Sequence, residues 1–67
     1  MSSRDPKVRP VPGDIIATPA EEYRVQDRKR DEVFVLEART GRRRWWTLGA
    51  WMSMALRRGT VLARGAQ

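Results

Sequence analysis

Short runs of β-prone and alternating apolar and polar residues recur along this chain, and they predict five β-strands. These runs are residues 15–17, 23–25, 32–38, 42–48 and 60–64. A charged loop at residues 26–31 separates the second run from the third, and a turn at residues 39–41 separates the third from the fourth. The pattern therefore predicts a mostly-β protein with two consecutive hairpins.

The apolar period changes to that of a helix after the fourth run. The residues at helical spacing are Leu48, Trp51, Met52, Ala55 and Leu56. Thr47 can cap the start of this helix, Arg57 and Arg58 lie in its last turn, where positive charge is favoured, and Gly59 can end it. One short helix is therefore expected between the last two strands.

The turn at residues 39–41 decides which side chains of the second hairpin share a face. A two-residue loop would force the β-branched Thr40 to positive φ, so we predict a three-residue loop with Gly41 alone at positive φ. The resulting cross-strand pairs are Glu37 with Arg43, Val35 with Trp45, and Phe34 with Trp46. One face would then carry Phe34, Leu36, Trp46 and Leu48, and the other Val33, Val35 and Trp45.

Prolines and turn residues set the expected domain limits. Residues 1–12 contain Pro6, Pro10 and Pro12 and are predicted to form a flexible proline-rich arm, with the domain at residues 13–64 and a frayed C-terminus at 65–67. The segment Thr18-Pro19-Ala20-Glu21 is a helix-start signal, which predicts a single helical turn capped by Thr18, with Glu21 reaching back.

The order of elements and the segment Val11-Pro12-Gly13-Asp14-Ile15-Ile16 resemble the SH3-like small β-barrels, including the KOW and Tudor-like groups. The resemblance covers roughly residues 12–64. It implies an SH3-like five-stranded small barrel with one short helix before the last strand. It also implies a binding module that contacts RNA, DNA or protein through loops and an exposed sheet face, rather than an enzyme.

The charges of the chain are strongly polarised. All eight carboxylates lie in residues 1–37, which carry a net charge of −1. The remaining residues carry +7, so the whole chain has a net charge of +6. An acid-free tract of this kind either repels itself or meets an anionic partner. Twelve arginines against two lysines fit recognition of phosphate, and they fit a GC-rich genome equally well.

The leading candidate site lies on the second hairpin. It consists of Arg39, Arg42, Arg43, Arg44 and Trp45. Guanidinium groups at a hairpin tip can straddle a phosphate backbone, and an exposed indole offers a stacking face worth about 1–3 kcal/mol per base. Arg57 and Arg58 would extend this basic surface if the fold brings the end of the helix beside the hairpin.

A structural explanation of the same residues is also open. Arg43 would then pair with Glu37, Arg44 would lie over an apolar surface, and Trp45 would be covered by the helix or by a second chain. A second basic tip at residues 28–30 is flanked closely by acids, so we interpret it as a solvated loop.

Several function classes find no support in the sequence. Without cysteine or histidine, and without a glycine-rich phosphate loop, we expect no catalytic residues, no metal site, no cofactor and no enzymatic activity. No apolar run approaches the roughly 20 residues that span a bilayer, so we expect no membrane partner and a cytoplasmic location.

Two functional hypotheses remain. The first is a basic module that contacts the phosphates and bases of RNA or DNA without strong sequence preference. The second is a small protein-interaction or regulatory module, of a kind found in phages and other mobile elements. Such a module would dock on an acidic protein surface or associate with itself as a homodimer.

Overall fold

The computed structural model describes residues 4–65, which form one antiparallel sheet and one α-helix. The elements are β1 (Ile15–Ala17), β2 (Glu22–Arg28), β3 (Glu32–Glu37), β4 (Arg43–Thr47), α1 (Leu48–Arg58) and β5 (Thr60–Ala63). The strands follow the order β4-β3-β2-β1-β5 across the sheet. The predicted mostly-β class, with one short helix before the last strand, is confirmed. The sheet is not closed, and β4 and β5 form its two edges.

The core lies between one face of this sheet, which we call the inner face, and α1. Its fully or almost fully buried apolar residues are Ile16, Val25, Val33, Val35, Trp51 and Ala55. Side chains alternate between the two faces of a strand, so Val33 and Val35 of β3 both point inward. Trp51 fills the centre, and its ring packs edge-on against Trp46 of β4, with 6.1 Å between the ring centroids.

The helix forms where the sequence predicts it, because its signals are local. Thr47 caps it, and the Oγ1 atom of Thr47 accepts a hydrogen bond from the N–H of Ala50 at 3.2 Å. The predicted apolar stripe correctly includes Trp51 and Ala55, which are buried. The prediction is wrong for Leu56, which is 56% exposed.

Gly59 ends the helix for a reason that differs from the usual one. Its φ is −83°, so no left-handed conformation is involved. A Cβ atom at this position would instead lie 2.5 Å from the Cγ2 atom of Ile16. Glycine therefore permits the end of α1 to pack closely on β1.

The β3–β4 turn has the predicted left-handed glycine but one more residue than predicted. Gly41 has φ +74°, and its N–H donates to the carbonyl of Glu37 at 2.8 Å. The N–H of Glu37 donates to the carbonyl of Arg42 at 2.8 Å, so the loop is residues 38–41. The predicted three-residue loop is therefore wrong.

This additional loop residue shifts the register of the hairpin by one. The observed pairs are Val33 with Trp46, Phe34 with Trp45, Val35 with Arg44, and Leu36 with Arg43. The predicted pairs of Val35 with Trp45, Phe34 with Trp46 and Glu37 with Arg43 are wrong. A one-residue slip exchanges faces, so Phe34 and Leu36 join Trp45 on the outer face of the sheet, opposite the core. The prediction that Trp45 and Trp46 lie on opposite faces holds.

The N-terminal segment also differs from its prediction as an unpacked arm. Pro6 and Pro10 are fully buried, and the carbonyl of Pro6 accepts a hydrogen bond from Nε1 of Trp51 at 3.0 Å. A buried indole N–H needs an acceptor, and residues 4–12 supply it. Residues 1–3 of the predicted arm and residues 66–67 of the predicted frayed end lie outside the described residues.

Two connections are shorter than predicted. Residues 18–21 form a bend instead of a helical turn, because the N–H of Thr18 donates to the carbonyl of Glu21 at 2.8 Å. Thr18 still caps the bend, and its Oγ1 accepts hydrogen bonds from the N–H groups of Ala20 and Glu21. The alternation of apolar and polar residues underestimated the length of β2. This strand continues to Arg28 across a register shift in its pairing with β3.

Candidate functional site

One end of the molecule collects arginines from the β3–β4 turn and from the end of α1, on either side of the β1–β2 turn. The β3–β4 turn reaches the β1–β2 turn through Arg39, whose Nη1 donates to the carbonyl of Ala20 at 3.0 Å. An open cleft of about 380 Å³ at this end is lined by Thr18, Pro19, Ala20, Arg57 and Arg58. We call Arg39, Arg42, Arg57 and Arg58 the arginine end. The end of the helix and the β3–β4 turn thus both lie next to the β1–β2 turn.

A buried carboxylate joins the β3–β4 turn to the β1–β2 turn. Oε1 of Glu21 accepts hydrogen bonds from the backbone N–H groups of Glu22 and Arg39, each at 2.8 Å. Burial alone would raise the pKa of Glu21, but these hydrogen bonds and the nearby charge of Arg39 outweigh it and leave the pKa below its usual value. Glu21 therefore stays ionised and fixes the position of the hairpin turn.

The remaining guanidinium groups at this end face solvent. Arg42, Arg57 and Arg58 are exposed, and so is Arg43, the first residue of β4. None of these four takes part in an ion pair with any other residue among 4–65. They therefore remain available to an external anion.

Arg44 is placed differently because of the hairpin register. It lies opposite Val35, on the inner side of β4. Its guanidinium carbon is 5.5 Å from the centroid of the Trp46 ring, and its Nε is 3.6 Å from Oε2 of Glu37. The structural explanation that the sequence left open thus applies to Arg44, which lies over an aromatic surface and takes the carboxylate that had been assigned to Arg43.

An aromatic platform occupies the outer face of the sheet beside Arg43. Trp45 is 36% exposed, and its ring lies 5.1 Å from the ring of Phe34, measured between centroids. Arg43 is two residues away on the same strand face, about 7 Å along the strand. Nζ of Lys29 lies 4.6 Å from the centroid of Trp45. We call Trp45, Phe34, Arg43 and Lys29 the Trp45 face.

Sequence reasoning missed Lys29 and Phe34 as members of this surface. Lys29 was grouped with the loop at residues 28–30, and only the pairing of β2, β3 and β4 brings it to Trp45. Its neighbour Arg28 has a structural role, since its guanidinium donates to the backbone carbonyls of Pro10 and Arg30.

Acidic side chains on β2 limit the extent of the basic surface on the outer face. On the outer face, Arg24 is paired with Glu22 at 2.7 Å, and Asp27 lies opposite Phe34. Basic charge without acidic neighbours is therefore concentrated at the start of β4 and at the arginine end.

Two other kinds of site find no residues to support them. Among residues 4–65 no group of three or more acidic side chains is arranged to hold a metal ion. None of the described helices is both long enough and apolar enough to cross a bilayer.

Comparison of the chain with protein-family models, with curated proteins and with solved structures found no match.

Proposed function

We propose that this protein is a non-catalytic module that binds nucleic acid through the arginine end and the Trp45 face. The observation that carries the proposal is that Arg42, Arg43, Arg57 and Arg58 are exposed and lack ion-pair partners in the described chain, and that Arg43 shares a strand face with the exposed indole of Trp45.

Phosphate neutralisation supplies the affinity. Each guanidinium that contacts a phosphate releases condensed counterions, and this contribution does not depend on base sequence. A guanidinium fork also suits the geometry of phosphate oxygens. The cleft beside Arg57 and Arg58 gives a backbone room to approach between the helix end and the β1–β2 turn.

Stacking on Trp45 supplies the contact with a base. The ring is supported from the sheet by Phe34, so little side-chain freedom is lost when a base stacks on it. A stacked base contributes about 1–3 kcal/mol with little preference among bases. This geometry favours single strands, whose bases are free to stack.

The resemblance to SH3-like small barrels supports the same assignment. An open five-stranded sheet with a helix before the last strand is compatible with that fold. Loops and an exposed sheet face are the surfaces through which such domains commonly bind, and both surfaces carry the residues assigned above.

A charge-matched comparison tests the proposal. The triple variant Arg42→Ala/Arg57→Ala/Arg58→Ala should bind a labelled single-stranded oligonucleotide at least tenfold more weakly than wild type. The control Lys7→Ala/Arg9→Ala/Arg30→Ala removes the same charge elsewhere and should lose much less. Anisotropy titrations at one salt concentration measure both, with circular dichroism to verify folding. Equal losses in the two variants would refute a localised site.

The acid-poor arginine end also supports a second function, docking on an acidic protein surface. Long-range attraction to carboxylates and to phosphates has the same origin. A pull-down with and without nuclease separates the two functions. A protein partner that is retained after nuclease treatment, with no retention on RNA or DNA, would favour this second function.

A further inference from the structure

The edge of the sheet formed by β4 has backbone groups that no strand of residues 4–65 satisfies. β4 pairs only with β3. The N–H of Glu37 donates to the carbonyl of Arg42, and the N–H of Leu48 donates to the carbonyl of Asp31, so the even-numbered residues direct their backbone groups toward β3. Backbone direction alternates along an antiparallel strand. The outward groups are therefore those of Arg43, Trp45 and Thr47.

This edge has few of the features that normally prevent pairing between sheets. Proteins protect edges with bulges, prolines and charged side chains. β4 contains no proline, and its register against β3 is unbroken. The opposite edge, β5, has a register shift against β1 between Ile15 and Ile16. The charges of β4 are confined to Arg43 and Arg44 at one of its ends.

The sequence of β4, Arg-Arg-Trp-Trp-Thr, complements itself in antiparallel pairing. A register centred on Trp45 places Trp45 opposite Trp45 of the second copy, Arg44 opposite Trp46, and Arg43 opposite Thr47. Each guanidinium then faces an indole or a hydroxyl instead of another guanidinium. Arg44 already lies over the Trp46 ring of its own chain, which shows that the two side chains are compatible. The same register joins the outward backbone groups of the two strands.

We propose that β4 is a self-association edge, at which two copies of this chain pair antiparallel through a register centred on Trp45. The cationic end of each strand meets the uncharged end of the other, which is why a second copy fits this edge better than an unrelated segment. Two five-residue strands form a small interface, so we expect a reversible, concentration-dependent dimer. The two-fold axis is perpendicular to the sheet, and both outer faces therefore lie on the same side.

Single cysteines test the register directly, because the chain has none of its own. Directly opposed hydrogen-bonded residues have Cα atoms about 5.5 Å apart, which is within the disulfide range of about 4.4–6.8 Å. Trp45→Cys should therefore form a disulfide-linked dimer under mild oxidation. Arg43→Cys is the matched control, and its two copies would lie about 13 Å apart. Equal linking of both variants, or linking of neither, would overturn the proposal.

A second arm keeps Trp45 intact. Arg43→Cys and Thr47→Cys should each stay unlinked alone and should link when mixed. Sedimentation equilibrium of the wild type, free of nucleic acid, should show a mass rising with concentration from 7.8 kDa toward twice that value. A constant monomer mass, or growth beyond the dimer, contradicts the pairing. No oligonucleotide is present, so the result is independent of the proposed nucleic-acid function.

Discussion

Asp14 joins the two ends of the described chain through a buried ion pair. Its carboxylate is fully buried and accepts hydrogen bonds from Arg4 at 2.6 and 3.0 Å. It also accepts from the N–H of Val11 at 2.8 Å and from the N–H of Gly65 at 2.7 Å. Segments on both sides of the predicted domain, at residues 4–12 and at Gly65, therefore belong to the folded unit.

Replacing Asp14 tests this joint. Asp14→Ala leaves the guanidinium of Arg4, whose side chain is 10% exposed, without its carboxylate. Breaking a buried pair in this way costs about 3–5 kcal/mol of unfolding free energy. The control is Glu22→Ala, which removes the similarly short but more exposed pair with Arg24 and should cost at most about 1 kcal/mol. Urea unfolding measures both variants, and similar losses would show that the buried pair has no special weight.

Acid should weaken the fold through Asp14 and Glu21. Burial would raise the pKa of Asp14, but its hydrogen bonds with Arg4, Gly65 and Val11 outweigh it, so the pKa is lowered, as it is for Glu21. A lowered folded-state pKa means that the unfolded chain takes up the proton first. The resulting stability is present above the unfolded values, roughly pH 4, and is lost as the pH falls through the folded ones. Urea midpoints between pH 7 and pH 3 should therefore fall at the acidic end, and Asp14→Ala should flatten that fall. An unchanged acid dependence in the variant would contradict the assignment to Asp14.

At the scale of elements, local signals were readable from the sequence and register was not. The helix was predicted because its cap, its apolar spacing and its terminal glycine all lie within residues 47–59. The face that β3 shares with β4 depends on one loop residue, and both loop lengths satisfy the preference of Gly41 for positive φ. The sequence therefore predicted that Trp45 and Trp46 lie on opposite faces of the sheet. It could not identify Phe34 as the cross-strand neighbour of Trp45.

Two glycines of the helical region should respond in opposite ways to alanine. Gly59→Ala forces a Cβ to within 2.5 Å of Ile16 and 2.7 Å of the carbonyl of Ala55, and overpacking of this kind costs about 1–3 kcal/mol. Gly49→Ala adds a Cβ with nothing within 4 Å, and should stabilise the helix by about 0.5–1 kcal/mol. Thermal unfolding compares the two variants. If both changes had the same sign, the close packing of α1 on β1 would be in doubt.

At the scale of the whole molecule, the acid-free half of the sequence suggests an anionic partner, which stays a prediction, and it does not indicate the shape of the basic surface. Arg57 and Arg58 reach the β1–β2 turn only because the chain after α1 returns along β1, a long-range pairing that no local pattern encodes. Arg64 instead contacts the N-terminal segment, where its guanidinium donates a hydrogen bond to the carbonyl of Arg4 at 2.8 Å. The binding role of the exposed arginines stays a prediction, whereas Arg44 and Arg64 make contacts within the fold.

The central claim is that exposed guanidiniums around the hairpin bind a phosphate backbone, and the salt dependence of binding tests it most directly. Affinity for a single-stranded oligonucleotide should be measured across a series of salt concentrations. With about three to five phosphate contacts, log affinity should fall linearly against log salt with a slope of roughly −2 to −3.5. The absence of binding, or an affinity that does not change with salt, would contradict this account of the protein.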